Sequence, residues 1–554
     1  MNKILKILII VLFSVSYLKA QSTEEWVNRY DGAGTDHSYS LATDNSGNIY
    51  TCGSVNNGNN SDYFVIKYSV TGKFIRSVYY NGTANGDDCA YAIAADKYNN
   101  IYVTGMSEGI TGGLDFVTIK YNANGIQQWE ARYNGTGNST DAAYFIKIDE
   151  NCNIYVAGQS YGTGSNFDCL IIKYNLSGVE QWVNRYNGTG NTSDVINDLI
   201  IDDNGNLYTA GATTNSSYNF DFLVLKLNNN GIIQWTNIYD DSSSNSDAAN
   251  SLALDQWGNI YAAGSSTNTS FNADYLTVKY NPSGNVIWQN RFNGTGSGND
   301  FAYSIAVSRN GDAYITGTSY CSENNFNYLT IKYNTDGLLS WIKNYDGNNN
   351  LLDEANHIVL DNDENVYITG FSTNFSSGSD FTTIKYNSSG MQQWIKTYDG
   401  TGNSSDQATS LTLDNSGNVY VTGSSTGIGT GLDFATVKYS QTMVGNANSN
   451  TRITNNFNLQ QNYPNPFNPG TLIKFDIPAP GLNNSENIIN TRLIIYDILG
   501  NQLEKLVDKP LTAGSHEIFW NASQYASGIY FYRLSVTGKS TILFEDTKKM
   551  ILSK

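Results

Sequence analysis

Eight aspartates recur along the chain at a nearly constant interval: Asp36, Asp88, Asp141, Asp194, Asp247, Asp300, Asp353 and Asp406. Each ends a loop-like stretch, most of them rich in Gly, Asn and Thr, such as NGTGNSTD at 134–141. Carboxylates in this setting have three uses. They can ligate a hard cation such as Ca²⁺ through oxygen. Two of them can act as acid and base in glycoside hydrolysis. Or each can cap its own loop by accepting backbone N–H groups. Eight uncompensated carboxylates around one opening would repel one another, so a cation or loop amides must balance them. Capping is the commoner use, so these eight form a candidate ligand or cation face with weak Ca²⁺ binding at most, and no other cofactor is expected.

Other groups that could do chemistry are sparse. A second set, Asp62, Asp115, Asp168, Asp221, Asp274, Asp380 and Asp433, ends another family of loops, with Asn327 in the sixth place. A third, Asp44, Asp96, Asp149, Asp202, Asp255, Asp361 and Asp414, precedes tight turns, with Ser308 as the exception. Asn327 suits a hydrogen-bonding role for the second set better than a charge role, and Ser308 can also accept a turn hydrogen bond, which marks the third set as turn residues. His37, His357 and His516 are the only histidines and lie in unrelated parts of the chain. Gly-x-Ser-x-Gly occurs at 105–109, 158–162 and 423–427 only as part of the repeated strand pattern, with no helix after it to form an elbow, and zinc-ligand spacing is absent, so no catalytic residue is assigned. Cys52, Cys89, Cys152, Cys169 and Cys321 show no CxxC pattern, and five thiols cannot all pair with one another.

The elements that position these residues follow from a repeat. Lys67, Lys120, Lys173, Lys226, Lys279, Lys332, Lys385 and Lys438 are spaced by 53 residues. One unit reads DAAYFIKID, NIYVAGQS, DCLIIKY, VEQWVNRY, which is four short strand-forming runs separated by Gly and Asn turns. Helical periodicity is absent. Four strands per repeat predict a propeller blade. The chain opens on a lone fourth strand, EWVNRY, while the last repeat lacks its own. The expected fold is therefore all-β, a closed eight-bladed β-propeller whose N-terminal strand completes the last blade and leaves no free edge. Connections between second and third strands, and between blades, are long. Both emerge on one face, which is the expected ligand face.

Residues 25–440 resemble the bacterial seven-bladed-propeller (SBBP-type) repeats in their Gly-Asn-x-Tyr and Lys-Tyr-[Asn/Asp]-x-x-Gly-x-x-x-Trp elements. The resemblance implies a fold and assigns no catalytic residues, and eight repeats depart from the family's label.

Six of the seven prolines lie beyond residue 460, where the period stops. Residues 441–460 read as a linker and 461–554 as a small β-sandwich. That last stretch closely resembles the type A sorting domain of type IX secretion cargo. Tyr463, Pro464, Asn465, Pro466 and Phe467 carry its opening motif, Gly528, Ile529 and Tyr530 its Gly-Ile-Tyr strand, and Lys548, Lys549 and Met550 its basic-then-apolar tail. The resemblance implies export by the type IX machinery to the medium or the outer cell surface.

Residues 1–20 read as a signal peptide, with Lys3 and Lys6 ahead of an apolar run too short to span a bilayer, so no membrane anchor is expected after cleavage. The propeller then occupies 21–440. A net charge of −18 without a basic cluster excludes nucleic acid. The function expected is a secreted or surface-displayed binding or scaffold module for an extracellular glycan or protein. The alternative is a secreted carbohydrate-active enzyme using paired carboxylates on the long-loop face.

Overall fold

The computed structural model describes residues 21–553, apart from 242–244, 297, 322–324, 348–349, 415, 443–456, 463–464, 468–469, 479–489, 511–513, 523–524 and 539–541. The expected signal peptide, residues 1–20, lies outside the described residues. Every described element is a strand, and the chain divides into two units at Val444/Gly445.

Residues 21–442 form four-stranded antiparallel sheets in a repeated, propeller-like pattern, and eight such sheets lie among the described residues. They are numbered here by their first strands, from His37–Thr43 in the first to Asp406–Leu413 in the eighth. The third is typical: Asp141–Ile148, Ile154–Tyr161, Phe167–Tyr174 and Glu180–Tyr186 pair in chain order. Its middle strands are buried along almost their whole length rather than on alternate residues. Runs such as CLII and IYVA suit this because both faces of the sheet are covered. Ile154, Val156, Leu170 and Ile172 share one core with Tyr102 and Phe116 of the second sheet.

The Gly-x-x-x-Trp element joins neighbouring sheets. Trp129 lies between Tyr102 and Tyr174, and its Nε1–H donates to Leu176 O at 3.1 Å. Gly178, two residues further on, has φ of +80°, and a Cβ there would stand 2.6 Å from the indole. The glycine thus serves the turn and also admits the tryptophan of the preceding sheet.

The N-terminal strand, Gln21–Tyr30, pairs antiparallel with Gly431–Thr442 and places Trp26 opposite Lys438, just as Trp129 stands opposite Lys120. It is the fourth strand of the eighth sheet. Pairing begins at Gln21, and the ladder continues to Thr442, so residues 441–442 belong to a strand rather than to the expected linker. At the other end Asn458–Leu459 pairs with Phe475–Asp476, which removes 458–459 from that linker too. Both corrections have one cause: backbone partners were available where the side chains gave no strand signal. First and eighth sheets meet through Ser38 Oγ and Thr422 Oγ1 at 2.8 Å and through Phe64 and Phe434, 5.3 Å between rings.

The C-terminal unit has two sheets. Asn458–Leu459, Gly470–Ile477 and Gly514–Asn521 form one; Gln502–Pro510, Asn490–Tyr496, Gly528–Thr537 and Ile542–Leu552 form the other. Their shared core includes Ile473, Phe475, Leu493, Trp520, Tyr532, Leu534 and Met550.

Candidate functional site

All eight repeated aspartates are buried, at 0–1% exposure, and turned onto their own loops. One carboxylate oxygen of each accepts a loop N–H, from Gly32, Gly82, Gly135, Gly188, Asp241, Gly294, Gly347 and Gly400 in turn, at 2.6–3.2 Å. In Asp36, Asp141, Asp194, Asp247, Asp300, Asp353 and Asp406 the other oxygen accepts the N–H twenty residues on, at 2.8–3.2 Å. A Cβ on Gly135 would lie 2.6 Å from Asp141 Oδ1, so the loop glycine is dictated by how closely the backbone approaches. Burial pushes Asp36 and Asp353 up to about 6, and the accepted N–H bonds pull against it. This geometry is a set of loop caps. Three places add further acid: in Asp31/Asp36/Asp433, Asp240/Asp241/Asp247 and Asp380/Asp399/Asp406 one ligand atom from each residue lies within 4.8 Å of the others.

The second set splits by partner. Asp115 meets Arg132 at 2.8 Å, Asp168 meets Arg185 at 2.6 Å, Asp274 meets Arg291 at 2.7 Å and Asp433 meets Arg29 at 2.7 Å. Burial pushes Asp221 and Asp380 up to about 6, helped by Asp240 in one case and by Asp399 and Asp406 in the other. In the sixth sheet Asn327 accepts from Asn325 Nδ2 at 3.0 Å. The third set closes turns: Asp149 accepts from Asn153 N at 2.8 Å, Asn153 Nδ2 at 2.7 Å and Tyr155 Oη at 3.1 Å.

His357 Nδ1 accepts the Leu411 N–H of the next sheet at 3.1 Å, and burial lowers its pKa to about 4, so it stays neutral as a clamp between sheets. His37 stacks on Tyr39. The side chain of His516 lies outside the described residues. The five cysteines are free thiols.

Sequence reasoning missed a cavity of about 530 Å³ lined by the first strands of all eight sheets. Each of these strands slips register by one residue after its opening, leaving a bulged residue. The bulged residues are Tyr39, Tyr91, Tyr144, Asn197, Asn250, Tyr303, Asn356 and Thr409, and all eight line the cavity. Tyr39, Tyr91 and Tyr144 pack in sequence with their rings tilted by 58° and 48°, 5.1 Å between successive ring centres. Where the residue is Asn, its Nδ2–H instead donates to the next sheet's carbonyl: Asn197 to Ala249, Asn250 to Ala302 and Asn356 to Ala408, at 2.8–2.9 Å. Thr409 does the same to Ser38 O at 3.0 Å. A signal was present, since this position changes among Tyr, Asn and Thr from repeat to repeat while the aspartate three residues before it does not.

In the C-terminal unit three separate motifs converge. Gly528, Ile529 and Tyr530 pair with Leu552, Ile551 and Met550. Phe467 N donates to Ile551 O at 2.9 Å, and Asn465 Oδ1 accepts from Ile551 N at 2.9 Å. Phe467 and Tyr530 both pack on Trp520. Pro466 and Lys549 are exposed, while Lys548 is half-buried. Tyr463 and Pro464 lie outside the described residues.

Residues 461–552 match the secretion system C-terminal sorting domain. This domain marks proteins exported through type IX secretion to the cell surface or extracellular space. Residues 294–326 and 394–429 match the beta-propeller repeat. No curated protein matches the chain. Among solved structures, Sqt1 from Chaetomium thermophilum is 10% identical, with 76% of this chain and 100% of that one covered, at a TM-score of 0.49. The polysaccharide lyase Uly1 is 11% identical over 64% of this chain and 90% of its own, at 0.40. These likenesses are too slight to carry an argument about function. Among the described residues no helix is long and apolar enough to cross a membrane.

Proposed function

We propose that residues 21–442 form a closed ring of eight blades that serves as a binding or scaffold module, delivered to the cell surface or the medium by the C-terminal sorting domain. Support for closure comes from the N-terminal strand in the eighth sheet, the contacts of that sheet with the first, and a cavity lined by all eight first strands. One observation carries the binding reading. The carboxylates that repeat in every sheet are committed to their own loops, whereas the residues that vary between sheets face the shared cavity. Such a division leaves recognition to the variable positions and offers no repeated pair for acid–base catalysis. The partners on this reading are the type IX machinery and an extracellular glycan or protein. Weak Ca²⁺ binding at the three acidic triads belongs to the same proposal. The test is a binding screen of the full chain against glycans and matrix proteins, with a hydrolysis assay on every hit. Capture without turnover is expected; turnover of a captured glycan would favour the carbohydrate-active enzyme.

A further inference from the structure

We propose that the shared cavity is a binding site for an uncharged saccharide end, with Tyr39, Tyr91 and Tyr144 as its stacking wall and Asn197, Asn250 and Asn356 as its hydrogen-bonding wall. The inference rests on the binding reading above and deepens it by naming a ligand class and a place. Four observations meet there.

The volume, about 530 Å³, falls within the ~300–1,000 Å³ usual for small-ligand pockets. The three tyrosines occupy adjacent sheets and are only half-buried, so an arc of aromatic surface faces the cavity. Burial raises their phenol pKa values, which keeps the arc neutral. Aromatic faces suit the C–H faces of sugar rings for the same reason that they suit other apolar surfaces with a polar rim.

The amides supply the second wall. Each Nδ2 gives one N–H to the next sheet's carbonyl, and Asn197 Nδ2 also donates to Asn250 Oδ1 at 3.3 Å, so the side-chain oxygens of Asn197 and Asn356 remain to accept, and Asn250 and Asn356 each keep a second N–H to donate. A saccharide brings hydroxyl donors to such acceptors, and its own oxygens can accept from tyrosine hydroxyls.

Charge argues for a neutral ligand. Among the described residues the one carboxylate lining the cavity is Asp198, which accepts from Leu199 N, Ser251 Oγ and Leu252 N at 2.7–3.1 Å and is thereby occupied. Among the described residues Lys147 is the one cation lining it. A polyanion would need several cations, and a cationic ligand would need a free carboxylate. A purely apolar ligand would strand the amide oxygens.

The experiment uses the full chain. Neutral gluco-, manno- and N-acetylhexosamine oligosaccharides of two to four units are compared with uronic-acid and sulfated glycans, and the best neutral hit is titrated calorimetrically. Tyr91→Ala should weaken binding by at least about tenfold while Tyr91→Phe stays within about threefold, because the ring and not the hydroxyl carries the stacking. Asn356→Ala, which keeps the aromatic arc, should weaken it by about fivefold through the lost acceptor. Neutral-saccharide affinity unchanged in both Tyr91→Ala and Asn356→Ala would overturn the site. Capture of charged glycans alone, or of a protein but no saccharide, would overturn the ligand class and leave the binding reading standing. Failure of every glycan and matrix protein to bind would overturn both.

Discussion

Asp168 and Asp380 end the same loop in the third and seventh sheets, and both are buried, at 2% and 8% exposure. Asp168 faces Arg185 Nη1 at 2.6 Å. At the register position of Arg185 the seventh sheet has Thr397. Asp380 instead accepts from Asn374 Nδ2 at 2.6 Å and Ser377 Oγ at 2.8 Å, beside Asp399 and Asp406, and burial pushes it up to about 6. The comparison teaches that the repeat preserves a hydrogen-bonding slot while charge compensation is assigned sheet by sheet. The side chain in this slot, an aspartate in seven sheets and Asn327 in the sixth, can thus be structural throughout while its charge compensation differs from one sheet to the next.

The eighth sheet gives the strongest way to break this comparison, because its arginine arrives on the N-terminal strand. Arg29 meets Asp433 at 2.7 Å, so deleting residues 21–30 removes an ion pair and a whole outer strand together. The bared Gly431–Thr442 edge should cause aggregation or loss of cooperative unfolding. Arg29→Leu removes only the charge and should keep a cooperative transition at lower temperature. Scanning calorimetry separates them; a deletion no worse than Arg29→Leu would show that the strand is dispensable.

Next in size is Arg185→Leu, which leaves Asp168 buried opposite an apolar side chain. Breaking a buried pair costs about 3–5 kcal/mol. Arg185 is 23% exposed, so about 2 kcal/mol is expected once solvent screening is allowed for. Asp168→Asn in the same background should recover most of the loss in urea unfolding at pH 7.5. Without that recovery, the arginine acts through its packing rather than its charge.

The comparison also marks what could be read from residues alone. The 53-residue period, four strands per unit and the displaced fourth strand were legible because glycine, asparagine and β-branched runs speak locally. The sorting motifs were legible too, although their convergence at residues 550–552 is a matter of tertiary pairing. Arg185 as partner of Asp168 was not legible: seventeen residues separate them, and only the pairing of Leu170 with Arg185 brings them together. The bulges were equally silent, because an extra unpaired residue has no composition of its own. That is why the sequence pointed to the aspartates and passed over Tyr39, Tyr91 and Tyr144.

A smaller effect appears in pH dependence. The folded pKa of Asp380, about 6, lies above the unfolded value of about 3.9. The native state therefore binds this proton more tightly. The associated stability is fully present below about pH 4 and is lost as pH rises through about 6. Asn imitates the protonated acid at every pH. Melting temperatures of Asp380→Asn relative to wild type should therefore climb between pH 4 and 6.5. In contrast, Asp168→Asn should lower the melting temperature at pH 7.5, because Arg185 loses its charged partner. A flat difference for Asp380→Asn would show that burial does not raise the Asp380 carboxyl in the folded chain.

The smallest effect tests whether compensation can be transferred. Thr397→Arg gives the seventh sheet the arginine that the third has, at the same register and on an exposed strand position. The new guanidinium should approach Asp380 and Asp399 together and favour their charged forms. Partly exposed pairs contribute about 0–1 kcal/mol, so the gain at pH 7.5 should be under about 1 kcal/mol. The informative readout is the pH slope. With Asp380 drawn down toward the ordinary carboxylate range, the wild-type decline in stability between pH 4 and 6.5 should flatten. Added salt should shrink the gain, because the partners are within reach of solvent ions. A melting shift with an unaltered slope would mean that Arg at 397 merely packs on the strand, and that the slot in the seventh sheet tolerates an uncompensated carboxylate for reasons other than charge.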